Sequence, residues 1–324
     1  MQLALVAVQL EVTADVLASS DAYQRHLAAA VARAVDTAGP ADARLVVLPE
    51  VSGHLALLAL AGARAQKAKT LAGALASEAM RRPFAVLRGA ATARVLEPRS
   101  AVLAALAPDA ERWWKSVFAP LAKQHRAYIV AGSHFRLSPG GELHNASLTF
   151  DPDGRLVATT DKVNLIPGIE DGAKGGLGLF RGDAERIPIV ETPFGTLATL
   201  ICYDGFRCAH TKLERFVPVA PTIAARGGVT VVANPAANPW PWRERWPFDD
   251  RVRVDQWEAE GLPGTLRSLR DTPFARFGVT AHLVGRVLDL HFDGTSEILD
   301  GGGRSLARAD APDRAACVSA TVTC

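Results

Sequence analysis

Short β-rich apolar runs recur along the chain at residues 2–9, 44–48, 128–131, 146–150, 156–160, 197–201, 229–233 and 279–284. Runs of this length bounded by polar or turn residues read as strands, and several of the intervals between them carry a helical pattern. Ser20 or Asp21 caps a helix that runs through Val31 to about Thr37, with Tyr23, Leu27, Ala30 and Val31 as its apolar stripe. Further helices are expected over 70–80, 111–125, 208–216 and 254–269, the last broken by Gly261, Pro263 and Gly264. Asp151-Pro152-Asp153-Gly154 and Thr192-Pro193-Phe194-Gly195 are turn sequences between apolar runs, so some strands pair antiparallel. Together these features describe an α/β protein with helices covering its sheets. No repeat or low-complexity linker divides the chain, and one domain spanning 1–324 is expected.

Composition narrows the function. Hydrophobic residues make up 48% of the chain and charged residues 22%, which suits a large core and excludes intrinsic disorder. The 36 basic and 34 acidic side chains leave a net charge of +2, so there is no strong field to attract nucleic acid or an anionic membrane. A small, weakly charged substrate fits better. Residues 1–9 lack the basic start and cleavage site of a signal peptide, and the apolar run at 55–63 is too short to span a bilayer. Cys202, Cys208, Cys317 and Cys324 form no CxxC pair, so reduced thiols in a cytoplasmic setting are expected.

Leu200-Ile201-Cys202-Tyr203-Asp204-Gly205 places a thiol between an apolar strand and a polar turn, where a side chain emerges at a sheet edge. Alone this describes a buried small hydrophobe as well as a nucleophile. A nucleophilic thiol needs a base within hydrogen-bond reach. Upstream, Leu45-Val46-Val47-Leu48-Pro49-Glu50 ends an apolar strand with a carboxylate, and Thr160-Asp161-Lys162-Val163-Asn164-Leu165 sets a lysine among apolar and uncharged neighbours, eight residues before Glu170. Each has a bland reading as a solvated charge.

In this order, and each at a strand end, the segments resemble the nitrilase superfamily of carbon–nitrogen hydrolases. The family pattern has a Glu closing an L-P-E strand, a Lys near K-x-x-L, a second Glu some eight residues on, and a Cys in I-C-Y-D. This sequence carries Glu50, Lys162, Glu170 and Cys202 in those places. Ile129-Val130-Ala131-Gly132-Ser133, His144-Asn145-Ala146-Ser147 and Phe292-Asp293-Gly294-Thr295-Ser296-Glu297-Ile298 match accessory elements, and the resemblance covers roughly residues 1 to 310. It implies a four-layer α-β-β-α sandwich and homo-oligomeric assembly. It also implies that Glu50 is the general base, Cys202 the nucleophile, and Lys162, with the backbone N–H of Tyr203, the oxyanion stabiliser. Glu170 would orient Lys162 and the hydrolytic water. A metal or organic cofactor is not required, and the scattered histidines form no ligand cluster.

The substrate pocket is expected to draw on His134, Asn145, Asp204, Phe206, Arg207, Asn234 and Trp240. Many relatives with the Tyr-Asp continuation have Arg at the fourth position after Cys, where this chain has Phe206, with Arg207 one later. Insertions are expected within about 55–110 and 238–265. The second contains the aromatic cluster of residues 239–248, read as a pocket lid or oligomer contact in preference to a membrane edge. The glycine-rich loop 172–178 lacks Walker spacing and reads as a loop near the site. The Tyr-Asp pair resembles the amidase-like branches of the superfamily more than the Trp-Glu of true nitrilases, and that resemblance implies a small amide or N-carbamoyl substrate. Nitrile hydrolysis, acyl transfer to an amine and a catalytically silent binding protein are the alternatives, the last disfavoured by the intact set of four residues.

Overall fold

In the computed structural model, which describes residues 1–93, 97–172, 176–211, 214–245, 251–272 and 274–324, the strand β1 (Gln2–Val12) joins two sheets. Up to Gln9 it pairs with β2 (Ala43–Val47) and β14 (Ala316–Thr323), while its last three residues pair with β10 (Ala275–Val287). The first sheet continues from β2 through β3 (Tyr128–Val130) to β5 (Leu143–Phe150), with β4 (His134–Leu137) and β6 (Leu156–Asp161) also paired to β5. The second runs from β10 through β9 (Val229–Ala237) and β8 (Gly195–Thr199) to β7 (Ile189–Thr192). On its other side β10 pairs with β11 (Leu290–Phe292) and β12 (Glu297–Asp300), and β12 with β13 (Ser305–Arg308). Both turn sequences form hairpins, β5–β6 and β7–β8.

Alternation along β1 shows how the layers form, because residues on opposite faces of a strand enter different cores. Leu3, Leu5 and Ala7 pack with Leu45, Val47 and Val130 against Leu197, Val231, Val279 and Ile298 of the second sheet. Ala4, Val6 and Val8 face the other way, onto Tyr23, Leu27 and Val31 of α1 (Ser20–Ala38) and onto Trp114 and Phe118 further along the chain. On the far side, Ala198, Leu200 and Val232 meet α7 (Val219–Ala225) and α9 (Leu262–Ser268). The architecture is therefore α-β-β-α. Inner strands buried on both faces read as continuous apolar runs, which is why β1 stands out in the sequence.

Between β2 and β3 lie α2 (Ser52–Ala59), α3 (Ala63–Gln66), α4 (Leu71–Arg81), α5 (Pro83–Ala93) and α6 (Pro98–His125). The helix expected at 111–125 is the second half of α6. Pro108 and Pro120 lie inside it, and proline removes an N–H and normally marks a break, so the sequence hides its true start. The helix expected at 254–269 breaks at Gly261, between α8 (Arg253–Glu260) and α9. The helix expected at 208–216 does not form: 208–211 and 214–216 are irregular, and 212 and 213 lie outside the described residues. Here the backbone serves tertiary partners instead. His210 N–H donates to the Tyr203 hydroxyl at 2.6 Å and the His210 ring stacks on Tyr203, while Thr211 N–H donates to the Glu214 carboxylate.

Candidate active site

Glu50 sits three residues past β2, at a bend with unusual backbone. Val51 has φ 67°, and its N–H donates to Ser133 Oγ at 3.1 Å, while Ser52 Oγ donates to Pro49 O at 2.6 Å. A non-glycine residue with positive φ persists only where its surroundings hold it. Here they turn Glu50 inward, 3% exposed. Gly132 makes the bend possible: at φ 56° it lies so close that a Cβ would stand 2.2 Å from Pro49 O. Gly132→Ala is expected to cost about 1–3 kcal/mol and to lower activity in parallel by displacing Pro49 and Glu50, as denaturant unfolding and kinetics on the same preparation would show.

Lys162 follows β6 and is 1% exposed. Its Nζ donates to Glu50 Oε1 at 2.7 Å and to Glu170 Oε2 at 2.6 Å. Asn145, on β5, bridges the same carboxylates, its Nδ2 donating to Glu50 Oε1 at 2.8 Å and Glu170 Oε1 at 2.9 Å. Ile166 N–H donates to Glu170 Oε2 at 2.9 Å, closing the loop that carries Glu170. Burial works against the ammonium, but the Glu170 and Glu50 charges outweigh it and hold Lys162 protonated well above the ordinary lysine range. Burial raises the Glu50 pKa and Glu170 adds to the rise, while Lys162 opposes it.

Cys202 opens a 3-10 turn, Cys202–Gly205, just past β8. Its φ is 48°, another strained position, held from two sides. Asn234 Nδ2 donates to Leu200 O at 2.7 Å and to Cys202 O at 3.2 Å, and Thr265 Oγ1 donates to Gly205 O at 2.7 Å. Asp204 ties this turn to the lysine loop by accepting from Val163 N–H at 3.0 Å and Asn164 N–H at 2.6 Å. Burial pushes the Asp204 carboxyl up to about 7 even so. The Cys202 thiol lies 3.6 Å from Ala237 O. Burial and the Glu50 charge raise its pKa far above that of a free thiol, against the pull of Lys162.

Glu50, Lys162, Glu170 and Cys202 line one end of a cavity of about 180 Å³. Of the expected pocket residues, Phe206 and Trp240 reach it as well. Asn145, Asp204 and Asn234 are fully buried beside it and act as ties between loops. These three and the other two expectations are corrected, because none of the five lines the cavity. His134 is buried off the cavity, its Nε2 3.7 Å from Glu111 Oε2, because β4 turns it toward α6. Arg207 is exposed and faces away, its Nε donating to Ala259 O at 2.9 Å.

Sequence reasoning passed over Arg253, which lines the cavity from α8 and is 2% exposed. Its Nε donates to Asn238 Oδ1 at 2.8 Å and Nη1 to Gln256 Oε1, and its guanidinium lies 5.5–6.0 Å from the ring centres of Trp257, Phe206 and Trp240. Burial lowers its pKa to about 10. In the sequence it stands in the charged stretch 249–255 and looks solvated; the aromatic cluster upstream was the available hint. Trp240 is at the cavity, Trp242 packs on Trp257, and 246–248 lie outside the described residues, as do 173–175 of the glycine-rich loop. Among the described residues, no cluster of three or more His, Cys, Asp or Glu is placed to hold a metal, and no helix is long and apolar enough to cross a membrane.

The family model for carbon–nitrogen hydrolases matches residues 4–314. The chain belongs to that family. This carbon–nitrogen hydrolase is 31% identical over 121 residues to a hydrolase from Schizosaccharomyces pombe, covering 36% of this chain and 33% of the relative. It is 29% identical over 195 residues to 2-oxoglutaramate amidase from Paenarthrobacter nicotinovorans, covering 59% of this chain and 56% of the relative. The matched stretches thus span about a third to just over half of those relatives' length. A solved carbon–nitrogen hydrolase from Helicobacter pylori G27 superposes with a TM-score of 0.66 at 17% identity, over 99% of this chain and 88% of that one. An amidase from Nesterenkonia sp. gives 0.59 at 17%, over 100% and 90%. These neighbours share the nitrilase-superfamily fold of this hydrolase.

Proposed function

We propose that this carbon–nitrogen hydrolase cleaves the C–N bond of a small amide or N-carbamoyl compound through a thioester on Cys202. The observation that carries the reading is the Lys162 ammonium clamped between Glu50 and Glu170 at the end of the cavity that Cys202 also lines. As Sγ attacks the carbonyl carbon, the thiol proton passes to a Glu50 carboxylate oxygen. A thiol with a raised pKa loses its proton in step with attack, so no resting thiolate is needed. Lys162 and the Tyr203 N–H stabilise the tetrahedral oxyanion. The C–N bond then breaks, Glu50 returns the proton to the departing nitrogen, and ammonia or an amine leaves. Water, deprotonated by Glu50 and oriented by Glu170, adds to the thioester; the C–S bond breaks, the acid is released, and Glu50 returns a proton to sulfur.

A crystal structure of the Nesterenkonia amidase carries the product of Michael addition of acrylamide at its active-site cysteine, which supports the same role for Cys202. The test is intact-protein mass spectrometry after brief exposure to amides, carbamoyl compounds and nitriles, with ammonia release followed in parallel. Wild-type turnover and an acyl adduct, both lost in Cys202→Ala, are expected; equal turnover in that variant would sink the mechanism. A second expectation concerns pH. The base must be ionised, and burial raises the Glu50 pKa above the ordinary 4.5. The acid limb of kcat/KM should therefore fall at a pH above 4.5, and an acid limb at or below that value would remove Glu50 as the base.

A further inference from the structure

We infer that the acyl group accepted by this site is an uncharged apolar chain or ring of about six to eight carbons, a reading that rests on the proposed amide hydrolysis. Away from Cys202 the cavity wall is leucine-rich: Leu57 and Leu58 of α2, Leu75 of α4, and Leu103 and Leu106 of α6. The five leucines fall between residues 57 and 106, so the stretch between Glu50 and Gly132 supplies much of the wall. On α4 the positions facing inward recur at Leu71, Ala74, Leu75 and Glu78, the three-and-four spacing of one helix face.

The charged side chains in the lining are already engaged. Lys162 is held by two carboxylates, Arg253 donates to Asn238 and Gln256, and Glu78 accepts from Arg81 Nε at 2.8 Å and from Gly62 N–H at 2.8 Å. A charged tail on the substrate would therefore lose its water against leucine side chains, which is costly, whereas an apolar tail gains from the same burial. An apolar cavity of about 150 Å³ accommodates benzene, so the volume of about 180 Å³ admits roughly six to eight carbons.

The experiment is a chain-length series. Ammonia release is measured for straight-chain primary amides from acetamide to dodecanamide, together with amides of matched length ending in a carboxylate. Binding of the same neutral series to Cys202→Ala is measured by calorimetry. The expected result is a kcat/KM that rises about fourfold per methylene to an optimum between hexanamide and octanamide and then falls. Anionic-tailed amides should react at least about 100-fold more slowly than neutral ones. Leu103→Trp should move the optimum to shorter chains, and should it fail to fold, Leu75→Phe narrows the cavity from α4. An optimum at acetamide, or a preference for anionic tails, overturns the inference while leaving amide hydrolysis standing. No turnover of any amide, combined with stepwise tighter binding of longer chains to Cys202→Ala, keeps the apolar site and removes the hydrolysis reading. Flat binding without turnover overturns both.

Discussion

Lys162→Met is expected to lower kcat/KM by at least about 10³-fold and to destabilise the fold by about 3–5 kcal/mol. The first figure follows from removing a donor at the proposed oxyanion position, which alone costs about 10²–10³. The base is damaged at the same time. Without the ammonium, Glu50 and Glu170 are left bridged by Asn145 with no opposing charge between them. Breaking a buried ion pair from one side leaves an uncompensated charge, the source of the second figure. One carboxyl must then take up a proton, because Glu170 already raises the Glu50 pKa and Lys162 is what opposes the rise. The pH dependence has a definite sign. A carboxyl whose folded pKa is raised contributes stability that is present below its unfolded pKa and lost as pH rises through the folded one. The deficit of the variant relative to wild type should therefore shrink toward pH 4.5 and grow toward neutrality. Thermal unfolding of both proteins across that range checks this, and a deficit that grows on acidification would contradict the charge argument.

Glu50→Gln separates chemistry from stability. Activity should fall by about 10²–10⁴-fold, the usual contribution of a positioned acid–base group. The fold should be as stable as wild type or more so, since the glutamine carbonyl still accepts from Lys162 and Asn145 while one of two buried carboxylates is removed. The Glu50→Gln, Cys202→Ala double variant should be no less active than Cys202→Ala alone, because groups that act in one step are not additive. Independent, multiplying losses would mean that Glu50 and Cys202 serve different steps. A fall in unfolding temperature for Glu50→Gln would mean that its charge holds the site together and that the activity loss reports structure.

How much of this was legible beforehand differs from element to element. The strands were readable wherever both faces are buried, as at β1 and β2, because burial on both sides leaves an unbroken apolar run, here containing β-branched valines, whereas the Leu/Ala run at 55–60 falls largely in helix α2. The start of α6 was not, since Pro108 carries a local signal for a break that packing against the sheet overrides. The segment 208–216 erred in the opposite sense: its pattern suits a helix, but its backbone N–H groups are claimed by Tyr203 and Glu214. The approach of Glu50, Lys162, Glu170 and Cys202 was anticipated through the family resemblance that their motifs carry; Glu50, Lys162 and Cys202 lie just past β2, β6 and β8, while Glu170 is brought in by the turn that follows Lys162.

The pocket was another matter. Arg207 follows the cysteine turn and leaves for solvent, while Arg253, some fifty positions on, comes back to the cavity inside an aromatic cage. His134 and Asn145 are partners of other buried groups and do not reach the cavity. The sequence by itself determined the α/β class and the strands that make the sandwich, because alternation, turn residues and side-chain type are local properties, and through its motifs it marked the side chains proposed here as the reacting groups. Only the tertiary structure decided which cation faces the cavity and how apolar that cavity is, because both depend on the meeting of α2, α4, α6 and α8, which are far apart in the chain and carry no local mark of that meeting.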